Sequence, residues 1–161
     1  MKKVFFVMLL FCSMATVSMA QPRAIGGRVG YNIEFSYQHA IGARNMLDIS
    51  AGATNVWNGW AYTEANCMYD WIIGIGSSKF NFYLGPGVGI GYAYGRFWNK
   101  YDYSPLRVNV GGQFGFEYQF DIPLNLSIDW RPMVNVLGFR QEHYPIYNSF
   151  YNFAVGVRYR F

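Results

Sequence analysis

Ser149-Phe150-Tyr151-Asn152-Phe153-Ala154-Val155-Gly156-Val157-Arg158-Tyr159-Arg160-Phe161 is the stretch whose reading decides the fold. From 151 on, odd positions carry Tyr, Phe, Val, Val, Tyr and Phe. Even positions after Phe150 carry Asn, Ala, Gly, Arg and Arg. Successive side chains of a strand point to opposite faces, so one face is apolar and the other small or charged. A soluble edge strand rarely carries so wide an apolar face. A strand whose outer face meets lipid must carry one.

The rest of the chain repeats this pattern. Residues 24–38 set Ile25, Gly27, Val29, Tyr31, Ile33, Phe35 and Tyr37 against Arg28, Asn32, Glu34, Ser36 and Gln38. His39 to Asn45 reads as a polar connector. Residues 46–54 set Leu47, Ile49, Ala51 and Ala53 against Asp48, Ser50 and Thr54. In 61–73, Cys67, Tyr69, Trp71 and Ile73 oppose Tyr62, Glu64, Asn66 and Asp70. Along 80–95 the large even residues face a row of glycines, and Pro86 predicts a bulge or a lost ladder bond. Residues 106–120 alternate most cleanly, and 124–136 follow after the tight turn Asp121-Ile122-Pro123.

Seven alternating segments result, and a secreted barrel needs an even number. The eighth strand comes from splitting 24–38 at Gly30-Tyr31-Asn32. That turn pairs Val29 with Ile33 and Arg28 with Glu34, which keeps the faces consistent and sets opposite charges across the ladder. The predicted fold is all-β: an antiparallel, up-and-down, eight-stranded transmembrane β-barrel. Short connectors then alternate with long loops at 55–60, 96–105 and 137–148, as in barrels with short periplasmic turns and long external loops.

Composition agrees. Aromatics are 20% of the 161 residues and charged residues only 14%, against roughly 25% charged in soluble domains. No apolar run after residue 20 reaches the roughly 18 residues of a spanning helix, which leaves the closed barrel as the way to cross a bilayer. Lys2-Lys3, the apolar run 4–12 and Ser18-Met19-Ala20 form a signal peptide, cleaved after Ala20. Domain 21–161 is the barrel, placed in the bacterial outer membrane. Phe11 before Cys12 argues against a lipoprotein signal. Losing Lys2 and Lys3 reduces the net charge from +4 to +2, too little to suggest nucleic acid. Cys67 is then the only cysteine, so no internal disulfide forms.

Gly85-Pro86-Gly87-Val88-Gly89, Phe120-Asp121-Ile122-Pro123-Leu124, Asp129-Trp130-Arg131-Pro132 and Val157-Arg158-Tyr159-Arg160-Phe161 resemble a family of small bacterial outer-membrane barrel proteins. More broadly, residues 24–161 resemble the OmpX/OmpA-like eight-stranded barrels. The resemblance implies insertion by the outer-membrane assembly machinery, with Tyr159 and Phe161 as its C-terminal signal. It implies no substrate.

The residues therefore predict a structural or surface-interaction role through external loops, with outer-membrane lipid as the first partner. The protein is expected to be no enzyme and to use no cofactor or metal. Two alternatives stand beside this reading: a lipid-modifying outer-membrane enzyme and a narrow, porin-like channel. An enzyme would draw on Glu142, His143 and Ser149, because a serine nucleophile needs a histidine within hydrogen-bond reach. Nothing in the spacing sets that geometry, and these residues read as a surface loop with a solvated histidine. Gly85 to Gly91 has period two and lacks the spacing of a phosphate loop. His39 reads as a solvated turn residue. Trp57, Trp60 and Trp98 read as interface aromatics. Around Trp98, the residues Lys100, Tyr101 and Tyr103 suit binding of a surface partner or glycan.

The faces opposite the apolar ones carry Arg28, Arg107, Arg131, Arg158 and Arg160 with Glu34, Asp48, Glu64, Asp70, Glu117 and Asp129. Eight strands leave an interior that side chains can fill. Carboxylates confined there lose hydration and need partners, and an arginine fork satisfies two oxygens at once. The expectation is one connected Arg–carboxylate network that plugs the barrel.

Overall fold

The computed structural model describes residues 23–54, 61–76, 79–94, 106–137 and 150–161. Residues 1–22, where the signal peptide 1–20 is expected, lie outside them, and so do 55–60, 77–78, 95–105 and 138–149. Nine extended segments follow one another: β1 (Arg23–Gly30), β2 (Asn32–Ala40), β3 (Asn45–Thr54), β4 (Ala61–Gly74), β5 (Phe80–Tyr94), β6 (Leu106–Gln119), β7 (Leu124–Trp130), β8 (Met133–Leu137) and β9 (Phe153–Arg160). Both β7 and β8 pair with β6, so they are successive halves of one barrel strand. Each strand pairs antiparallel with the next, and β9 pairs with β1. The protein is thus a closed, eight-stranded antiparallel barrel.

Closure runs to the chain's last residue. Arg23 N donates to Phe161 O at 3.2 Å and Phe161 N to Arg23 O at 2.9 Å. Along β9, Ala154, Gly156 and Arg158 are buried while Phe153, Val155, Val157 and Tyr159 are exposed. The same inversion holds around the barrel: most polar side chains are inside, joined by Met46, Met68, Met133 and Tyr83, and the other large apolar ones are outside. An apolar band of this extent belongs in lipid, not water. Aromatic rings gather towards both rims of the band. Phe80 lies against Phe116 and Tyr118, Tyr118 against Phe120, and at the other rim Trp130 stacks on Phe153 at 5.8 Å.

One prediction follows from this face. Val157 is 52% exposed, between Gly27 on β1 and Leu126 on β7. Val157→Asp should destabilise the barrel by about 2 kcal/mol, the lower end of the cost of a midplane charge. Urea unfolding in lipid vesicles measures this, and an unchanged midpoint would mean that the face does not meet lipid.

The hairpin inside 24–38 is present: Arg28 pairs with Glu34 and Val29 with Ile33. Two other details differ from the sequence reading, and at Pro86 the structure takes one of the two outcomes expected there, the lost ladder bond. β2 runs on to Ala40, so the connector is 41–44 rather than 39–45. Gly42 turns it with φ 134, a conformation side chains disfavour. His39 is therefore a strand residue. Its ring stacks near Tyr37, with Nδ1 3.4 Å from the Tyr37 hydroxyl. At Pro86 there is no bulge. Met68 pairs with Gly87 and Trp71 with Leu84 in one continuous register, and only the two pairs between are missing. Proline there costs ladder bonds towards β4 while its pairing with Gly112 on β6 persists. Finally, 124–136 is broken at Arg131-Pro132, between β7 and β8. Proline cannot donate to the ladder, and Arg131 N donates instead to Asn152 O at 2.9 Å.

The turns are tied by side chains. Lys79 Nζ donates to Asp121 Oδ2 at 2.5 Å, joining two turns at one rim. That hydrogen bond holds the lysine ammonium above its ordinary pKa. Both groups are solvated, so the pair adds little stability.

Candidate functional site

The inward faces of the strands converge on a buried polar core. Arg28 and Arg131 are 0% exposed and Arg158 is 1% exposed. Their positions follow from the pleat: β1, the β7–β8 junction and β9 each turn alternate residues inward. Arg28 bridges Glu34 on β2 and Asp129 on β7. Arg131 reaches Glu34 and Asp48, each at 3.1 Å, and lies 4.0 Å from Asp129. Arg158 lies 3.2 Å from Asp48 and 4.0 Å from Asp129. Three guanidiniums and three carboxylates thus form one cluster across the lumen.

Neutral side chains complete it, and the sequence reading did not single them out. Arg131 Nε donates to Gln113 Oε1 at 2.7 Å and its Nη1 to Ser50 Oγ at 2.6 Å. Arg158 Nε donates to Ser36 Oγ at 2.8 Å and its Nη1 to Ser127 Oγ at 2.7 Å. Tyr83 OH donates to Asp129 Oδ2 at 3.2 Å. The ring of Tyr83 occupies the place where a side chain on Gly115 would stand. Small residues on one wall therefore admit large ones from the next. Likewise Gly87 faces Met68 and Gly89 faces Asn66.

The remaining candidates lie outside this cluster. Arg107 pairs with Glu64 at 3.5 Å, and Asn66 Nδ2 donates to Glu64 Oε1 at 2.6 Å. Glu117 accepts from Gln119 Nε2 at 3.0 Å, and Gln119 Oε1 accepts from Arg160 Nη1 at 3.3 Å. Arg160 is only half-buried. Its Nη2 holds the β6–β7 turn, donating to Phe120 O at 2.6 Å and Ile122 O at 2.9 Å. Asp70 is fully buried, and neither of its oxygens has a hydrogen-bond partner among the described residues. Six of the eleven residues expected to form one network make up the central cluster. Asp70, whose oxygens accept no hydrogen bond among the described residues, departs from that expectation. The reason is reach: a side chain can bridge only to what the tilted strands bring opposite it.

Tyr159 and Phe161 are exposed on the outer face at the end of β9. Trp98, Lys100, Tyr101 and Tyr103 lie outside the described residues, as do Glu142, His143, Ser149, Trp57 and Trp60. Among the described residues no three His, Cys, Asp or Glu are grouped to hold a metal ion. Cys67 is a free thiol on the outer face.

Fold and interior together define a class: the small, eight-stranded, outer-membrane-type transmembrane barrel. Within it, the chain is similar to Neisserial surface protein A, with a TM-score of 0.59 and 13% identity over 88% of this chain and 94% of that one. It is also similar, at a TM-score of 0.49 and 15% identity over 87% of this chain and 95% of the other, to a de novo designed transmembrane β-barrel. No family model matches the sequence. No curated protein matches it either.

Proposed function

We propose that this protein is an integral barrel of the bacterial outer membrane, delivered by a signal peptide and inserted by the assembly machinery. Its role is structural or interactive: the barrel is a closed anchor, and the external loops meet a surface partner or glycan. The observation that carries this reading is the enclosure of Arg28, Arg131 and Arg158, which are fully buried and ion-paired across the lumen. A conducting pore needs a continuous path of water or of free polar groups that can stand in for an ion's hydration shell. Here the guanidiniums are spent on carboxylates, hydroxyls and an amide instead. The fold shared with Neisserial surface protein A supports the placement.

The test is electrical. Purified protein in planar lipid bilayers should give no steady conductance at moderate voltage. A stable channel of porin-like size would overturn the plugged-barrel reading.

A further inference from the structure

Asp70 breaks the balance of the core. Arg28, Arg131 and Arg158 are matched by Glu34, Asp48 and Asp129, each of which touches a guanidinium. Asp70 is a fourth carboxylate. It is 0% exposed, neither oxygen accepts a hydrogen bond, and no arginine among the described residues stands within ion-pair distance of it. The backbone register shows why the described strands beside it supply no donor. Met46 lies opposite Asp70 on β3, Met68 precedes it on the same face of β4, and Gly85 lies beside it on β5. A thioether donates no hydrogen bond, and glycine has no side chain to offer.

The charged and titratable groups that face Asp70 from the packed strands do not compensate it. Asp48 on β3 and Asp129 on β7 are like charges. Arg131 and Arg158 act on it from farther off while committed to other carboxylates. Tyr83 on β5 donates to Asp129. A carboxylate removed from water without a partner is too costly to persist.

We propose that Asp70 holds one exchangeable proton inside the barrel. The site rests on the closed-interior reading, because a water-filled lumen would solvate the carboxylate directly. The proton brings the core from three positive against four negative charges to neutrality. It binds the folded barrel alone, so raising its concentration stabilises the fold by mass action.

The experiment uses the full barrel refolded into phosphatidylcholine vesicles, with urea midpoints for wild type and Asp70→Asn. One series, at pH 7 and constant ionic strength, replaces N-methylglucamine chloride stepwise with sodium chloride. The other lowers the pH from 9 to 6 at constant salt. Lowering the pH should stabilise the wild type, up to about tenfold in the folded-to-unfolded ratio per pH unit. Asp70→Asn should lose that response. A wild type that responds to sodium and not to pH overturns the proton assignment. If Asp70→Asn does not refold, Asp70→Ser is read the same way. A wild type flat in both series, or a variant that responds as the wild type does, overturns the proposal. Conductance in planar bilayers is a separate result, so failure of the closed-barrel reading is distinguishable from failure of this one.

Discussion

Arg131→Ala should lower the barrel's unfolding free energy by about 3–5 kcal/mol, the cost of breaking a buried charge pair from one side. Arg131 is fully buried, and its guanidinium reaches Glu34, Asp48, Ser50 and Gln113 from four other strand positions. Truncation leaves Asp48 with Arg158 and Glu34 with Arg28, each pair now carrying an unbalanced neighbour. The second variant separates charge from packing. Adding Asp48→Asn to Arg131→Ala removes one stranded carboxylate and should recover part of the loss. Contacting residues couple in this way, whereas distant ones add. Urea midpoints in vesicles report both. A loss within about 0.5 kcal/mol, ordinary for a solvated surface residue, would mean that the lumen is wet and its charges merely hydrated.

This cluster shows what the sequence could and could not disclose. The alternation along β9 and β6 disclosed which residues face inward, because a period of two survives any tilt or twist. The Gly30-Tyr31-Asn32 turn was legible because that split keeps apolar residues on one face and also sets Arg28 opposite Glu34. Which inward arginine meets which carboxylate was not legible. That depends on how strands far apart in sequence are staggered around the barrel: Arg28 and Asp129 are 101 residues apart, Arg158 and Asp48 are 110 apart. The serines at 36, 50 and 127 gave no signal, since a small polar residue on an inner wall looks the same whether or not it binds an arginine. Tyr83 was hidden among the glycines of β5 for the opposite reason. It is the one bulky residue in a row of small ones, and its role exists only because Gly115 on β6 makes room for it. Arg160 was assigned inward by parity alone. At the end of a strand the turn carbonyls of Phe120 and Ile122 compete for it and win.

The adjacent glycines Gly26 and Gly27 should respond in opposite directions to the same substitution. Both lie on β1, opposite β9, at the seam where first and last strands close the barrel. Gly26 faces inward. A Cβ there would run into the Val157 carbonyl and come within 2.7 Å of the Arg158 Cα, which is backbone and cannot rotate away. Gly27 faces outward, and its Cβ would meet only the Glu34 carbonyl, at 3.6 Å. Gly26→Val therefore forces the seam apart. It should cost about 3 kcal/mol or more, the upper range for overpacking a closed interior. The seam also carries seven paired positions from Ala24 to Gly30, so opening it threatens closure itself. Gly27→Val should stabilise by about 0.4–1 kcal/mol, because it restricts the unfolded chain at no steric cost in the folded one. A second apolar side chain on the lipid face adds to that gain. Urea unfolding of the two variants, refolded side by side into the same vesicles, gives the comparison. Equal losses at both positions would show that β1 tolerates neither face, and would remove the assignment of Gly27 to lipid and Gly26 to the interior.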